Sequence, residues 1–171
     1  MANAIGYSGG GFISAFVTDY IRGDFGILLS FAVMSMAIAL MQWLAIRRHI
    51  LGMGWLWTTW LGGTLGGFVS SWASFQLAVS YGDAADFLTI YTCLRGFTAG
   101  LAQCILLRQK SQRSGWWIVT TTSSWYISVL IGSLLMANQH GYLLTIAIGA
   151  IYGLLTGIIL ISLFWQRLSL R

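Results

Sequence analysis

Long stretches without a single charged side chain constrain this chain more than any other feature. Five segments, approximately 25–46, 55–80, 87–107, 116–137 and 142–164, are each about 20 residues or longer, and they hold one charge in total, Arg95. About 20 apolar residues at 1.5 Å per residue cross the ~30 Å hydrocarbon core of a bilayer. Only 8% of the 171 residues are charged, against about 25% in a soluble domain, so the chain cannot clothe a water-facing surface. The reading is an all-α integral membrane protein, a compact bundle of five to six transmembrane helices forming one domain over residues 1–171. Residues 4–21, Gly-rich and weakly apolar, are the candidate sixth span. No positively charged start and no small-residue cleavage site marks that stretch as a signal peptide.

The charges are sorted by loop. Arg47 and Arg48 share one turn, Arg108, Lys110 and Arg113 another, and Arg167 and Arg171 lie at the C-terminal end. Threading five spans places these seven bases on one side. Asp19, Asp24, Asp83 and Asp86 fall on the other, beside Arg22. Positive residues stay cytoplasmic during insertion, so the basic side and the C-terminus are expected there. The membrane is expected to be a bacterial inner membrane or its topological equivalent. The formal charge of +5 therefore reflects insertion and attraction to anionic headgroups rather than nucleic-acid binding.

The stretch "QWLAIRRHILGMGWLW" (42–57) is echoed 61 residues later by "QCILLRQKSQRSGWW" (103–117). That offset pairs Gln42 with Gln103, Arg47 with Arg108, Gly54 with Gly115 and Trp55 with Trp116. Each copy reads as the cytoplasmic end of a helical hairpin. A third copy is split between the termini: "GGFISAFVTDYIRGD" (10–24) is similar to "GGFVSSWASFQLAVSYGD" (66–83), and the last helix ends in "LFWQR". Trp43, Trp55, Trp57, Trp116, Trp117 and Trp165 cluster at the basic side, where indoles prefer the headgroup boundary. They are expected to form an aromatic belt. Trp60, Trp72 and Trp125 are deeper.

Small residues recur at i, i+4: Gly62 and Gly66, Gly63 and Gly67, Gly96 and Gly100, Ser124 with Ser128 and Gly132, and Gly149 with Gly153 and Gly157. Such stripes let helix backbones approach where lipid supplies no hydrophobic drive. So many of them suggest stripes left over for a partner subunit.

Chemistry is sparse. No catalytic residue and no metal site is expected. His49 and His140 fall on opposite faces of the membrane, the acids are confined to helix ends, and no histidine is placed to activate a hydroxyl in the bundle. Asp83 and Asp86, near a helix start, read as N-caps. Cys93 and Cys104 lie about 16 Å apart along one helix and cannot bond to each other; they read as small buried residues. The chain has no proline to break a helix, which argues against ion-coupled transport.

Arg95 is the leading candidate for a ligand or partner contact. Near mid-membrane it costs roughly 2.5–3.5 kcal/mol, and no carboxylate sits at that depth. It is expected to bond helix carbonyls, Gln42, Gln103, Tyr91, Thr98, water or an external anion. Gln42 and Gln103 are the repeated polar pair, candidates for interhelical bonding or ligand contact. His49 and His140 are candidate pigment ligands.

The repeated pattern of Gln-x4-Arg, a basic turn and Gly-Trp-Trp over 42–60 and 103–125 resembles small polytopic membrane proteins of cyanobacterial type. The first copy has "GWL" in place of "GWW". The resemblance implies a photosynthetic membrane and carries over no catalytic or binding residue. The leading functional expectation is a non-enzymatic accessory or assembly subunit of a larger membrane complex, photosynthetic in this resemblance. It would contact lipid and other membrane subunits, with chlorophyll or carotenoid as candidate cofactors beside lipid. The alternative is a substrate- or lipid-binding component of a membrane transport system, for which a polar cavity reaching Arg95 would be the mark.

Overall fold

A computed structural model describes residues 2–47, 52–81, 84–109, 114–135 and 142–168. These residues form six α-helices: α1 (Ala2–Tyr20), α2 (Asp24–Ile46), α3 (Met53–Tyr81), α4 (Ala84–Arg108), α5 (Gly115–Leu135) and α6 (Tyr142–Leu168). No strand occurs among them. The helices α2 to α6 cover the five apolar segments, and residues 4–21 lie within α1. With no proline and only short polar turns, nothing in the sequence interrupts a helix once it has started.

Each helix packs against its neighbours in sequence, and α6 returns to pack against α1. The result is a closed ring of six helices; among the described residues only ring neighbours pack backbone to backbone, and side chains alone bridge the middle. The α1–α2 corner is a tight turn. Gly23 adopts φ 83°, and its carbonyl accepts from Ile27 N at 3.1 Å. A Cβ on Gly26 would stand 1.8 Å from the Ile21 carbonyl oxygen, so only glycine allows the chain to double back there.

Among the described residues three helices are long and apolar enough to cross a membrane: α2, Phe87–Arg108 of α4, and α5. The α3 helix, 29 residues without a charge, is diluted by Gly, Ser, Thr and Trp. The distribution of side chains is inverted relative to a water-soluble bundle. Among the described residues, the buried polar and charged side chains (fourteen) outnumber the buried apolar ones (ten). Leu61, Leu65, Val69 and Trp72 form an exposed apolar stripe along α3, while Thr59, Ser70 and Ser74 point inward. Likewise α4 exposes Phe97, Leu101 and Ile105 and buries Thr92, Arg95 and Gln103. An apolar exterior around a polar interior is the arrangement that lipid selects and water opposes.

Most inward hydroxyls are satisfied locally. Thr64, Thr92, Thr98, Thr120, Thr121, Thr122, Ser128 and Thr156 each donate to the carbonyl four residues back. A helix can thus carry hydroxyls into a low-dielectric interior without leaving a buried donor unpaired.

The small-residue stripes are what close the ring. On α3, a Cβ at Gly62 would meet Ala102 at 2.5 Å and one at Gly66 would meet Thr98 at 2.1 Å, both on α4. The adjacent stripe turns the other way: Gly63 faces Ser35 at 2.6 Å and Gly67 faces Phe31 at 2.7 Å, both on α2. Gly96 and Gly100 of α4 abut Thr122 and Thr121 of α5, and Gly132 of α5 abuts Ile148 of α6. The expectation of stripes left over for a partner is therefore corrected on α3 and α4. Backbones here approach so closely that neighbouring helices of the same ring occupy those surfaces. On α6, Gly149 is buried and Gly153 partly so, whereas a Cβ on Gly157 would meet nothing within 4 Å.

Candidate functional site: a central chamber beside Arg95

Two polar clusters lie inside the ring. The first sits towards the basic end. Gln103 is 1% exposed, and its Nε2 donates to Thr59 Oγ1 at 3.0 Å and to Gln42 Oε1 at 3.3 Å. Its Oε1 accepts from Trp117 Nε1 at 2.8 Å. Gln42 Oε1 also accepts from Trp55 Nε1 at 3.3 Å. Each basic turn thus carries an inward glutamine before it and an inward tryptophan after it, and the two glutamines bond each other across the ring wall. The indoles of Trp55 and Trp117 meet edge to face with centroids 6.1 Å apart.

Two sequence expectations fail here. Trp55 and Trp117 are not belt residues: they are 2% and 3% exposed and packed around Leu107. Trp57 and Trp116, which are exposed, do face outward, and Trp43 is partly buried with Arg47 stacked over its ring. The offset of 61 also paired Trp55 with the wrong indole. Its structural counterpart is Trp117, because Gln and inward Trp are 13 residues apart in the first hairpin and 14 in the second. One residue rotates a helix by about 100°, enough to exchange inside for outside.

The second cluster surrounds Arg95, two turns further along α4 and about 12 Å from Gln103 by helical rise. Arg95 is 5% exposed. Its Nη1 donates to Tyr91 Oη at 2.6 Å, and its Nη2 reaches only the thioether of Met34 at 3.8 Å. The guanidinium lies over Phe31 at 4.9 Å, Trp125 at 5.3 Å and Tyr91 at 5.8 Å. Aromatic faces offset part of the cost of burying a cation through their quadrupoles. No carboxylate among the described residues pairs with it. Of the bonds expected, Tyr91 is found. Thr98 turns its hydroxyl to backbone carbonyls of its own helix, and neither glutamine bonds Arg95; Gln103 lies two turns away and bonds Thr59, Gln42 and Trp117.

A cavity of about 40 Å³ lies between the two clusters. Every helix contributes to its wall: Tyr7 from α1, Ser35 and Gln42 from α2, Thr59 from α3, Arg95 and Gln103 from α4, Trp125 from α5 and Tyr152 from α6. Tyr7, Trp125 and Tyr152 form a mutual aromatic cluster, with centroids 5.2–6.1 Å apart, that ties α1, α5 and α6 together. Glycines make the space. Gly96 lets α5 come close enough to bring Trp125 beside Arg95, and Gly67 leaves room for Phe31 and the Arg95 guanidinium.

Two lining groups are buried without a hydrogen-bond partner, Ser35 Oγ and Trp125 Nε1. Trp43 Nε1, Ser70 Oγ and Ser74 Oγ share that condition away from the chamber. Neither Ser35 nor Trp125 stands out in the sequence as a site residue. A lone serine and a deep tryptophan carry no signal until the ring brings them to Arg95.

His49, His140, Asp83, Lys110, Gln112 and Arg113 lie outside the described residues, as do the side chains of Asp86 and Trp165, so the pigment-ligand and N-cap expectations concern positions not described. Cys93 is partly buried and Cys104 buried, both as free thiols. No group of three or more metal-ligating side chains occurs among the described residues. No protein family matches the chain, and comparison with curated proteins and with solved structures likewise gives no match.

Proposed function

We propose that the protein is a non-enzymatic, membrane-embedded binding component of a transport system, and that its ligand is held at the centre of the helix ring against Arg95. One observation carries this reading: a chamber lined by all six helices reaches a buried arginine for which the described chain offers no carboxylate. A buried cation held only by a phenol, a thioether and ring faces uses two of the five N–H donors of a guanidinium. An anionic group from outside the chain would complete it. In this reading five or six helices cross the membrane, the basic turns and the C-terminus are cytoplasmic, and a partner subunit supplies energy. The accessory-subunit reading drew on stripes free for a neighbour, and those on α3 and α4 are occupied within the ring.

The test is Arg95→Met, which retains the long stem and deletes the charge. The variant should insert and fold with stability equal to or above the wild type, because the desolvation cost goes with the charge. It should also lose small molecules or lipids that co-purify with the wild type in mild detergent, read by native mass spectrometry. An unchanged set of co-purified species would refute the reading. Cysteines introduced at Gln112 and Ala84 should label from opposite sides of the membrane, Gln112 from the cytoplasm; labelling of both from one side would remove the topology.

A further inference from the structure

The character of the spare donors narrows the ligand class, on the reading that the chamber holds a ligand. Three residues on the cavity wall carry unused hydrogen-bonding capacity: Arg95 in its guanidinium, Trp125 in its buried Nε1–H and Ser35 in its buried hydroxyl. Guanidinium and indole can only donate, and a serine hydroxyl can also donate. Their complement is therefore a group that only accepts. Among the described residues Arg95 is the only cationic side chain on the cavity wall. A doubly charged group would bring an uncompensated negative charge into low dielectric, where a lone charge costs several kcal/mol. The remaining wall includes Ile38 and the rings of Tyr7 and Tyr152, which suit a small apolar substituent. The volume, about 40 Å³, accommodates roughly three water-sized groups.

We propose that the chamber is a site for a small monocarboxylate, whose oxygens accept from Arg95, Trp125 Nε1 and Ser35 Oγ while its apolar end lies against Ile38 and Tyr152. Gly63 belongs to the same device. A Cβ there would lie 2.6 Å from Ser35 Oγ and would displace the hydroxyl from the cavity.

The experiment uses the full chain in nanodiscs of a neutral lipid, phosphatidylcholine, titrated with sodium acetate, sodium chloride or sodium sulfate at matched ionic strength, with thermal unfolding as the readout. Acetate should raise Tm saturably, and chloride and sulfate should not match it. Trp125→Phe, which retains a ring and removes the N–H, and Ser35→Ala should each weaken apparent acetate affinity by about tenfold. Arg95→Met should abolish the shift. Sulfate equal to acetate, no saturable shift in the wild type (a chamber holding water only), or a shift undiminished in both Trp125→Phe and Ser35→Ala would overturn the carboxylate assignment. If acetate fails while mass spectrometry still finds an Arg95-dependent cargo, the assignment falls and the binding function stands. Loss of both removes both.

Discussion

The two polar clusters inside the ring are built from similar materials and end in opposite states. Around Gln103 each polar atom of the side-chain amide has a partner, and tryptophans, glutamines and a threonine from α2, α3, α4 and α5 close on one another. Around Arg95 a buried guanidinium is met by a phenol and a thioether, and two donors on the same cavity wall have nothing. A polar network in low dielectric stabilises only when it is complete, and its unmade bonds are costly. The contrast therefore separates roles. The Gln103 cluster holds the basic end of the hairpins together, and the Arg95 chamber retains capacity that an external group can use.

The comparison can be broken first at its stable end. Gln103→Leu strands Trp117 Nε1 and removes the donor to Thr59 and Gln42, and should cost about 3 kcal/mol in unfolding free energy measured by denaturant titration in detergent. A loss under about 1 kcal/mol would mean the cluster is not the clamp described. Next in size is Gly100→Ala. Its Cβ would fall 1.9 Å from Thr121 Oγ1 and 3.0 Å from the Ile118 backbone, so α4 and α5 must part, at about 2 kcal/mol. Gly157→Ala, with open space at the same distance, serves as the control and should stay within about 0.5 kcal/mol.

Smaller still is the pair Trp117→Phe and Trp116→Phe. The first leaves Gln103 Oε1 without its indole donor and should lower stability by about 1.5 kcal/mol; the second, at an exposed position, should change it by less than about 0.5 kcal/mol. Equal effects would remove the distinction between the two positions, and a larger loss at Trp116 would show that the inward and outward assignments are exchanged. The smallest effect sharpens the comparison from the other side. Ser35→Ala in ligand-free protein should be neutral or raise the melting temperature slightly, because the hydroxyl it deletes has no partner to lose. A polar deletion that is costly at Gln103 and free at Ser35 is what distinguishes a closed network from an open one.

Much of this architecture can be read from the chain. The charge-free runs, the absence of proline and the small residues at i, i+4 are sufficient to require long helices packed closely. Arg95 and the two glutamines are also legible, since a charge or an amide inside an apolar run must find a partner. What one-dimensional order cannot contain is helix phase. Trp116 and Trp117 are adjacent indoles in the first turn of α5 and look alike in sequence, although one is 66% exposed and the other 3%. Only the tertiary structure decided that the paired glycine stripes of α3 are spent on α2 and α4, that α6 closes on α1, and that Ser35 and Trp125, each with an unpaired donor, share a cavity wall with Arg95. Those outcomes depend on rotations of about 100° per residue and on contacts between distant helices, and both are settled when the ring closes.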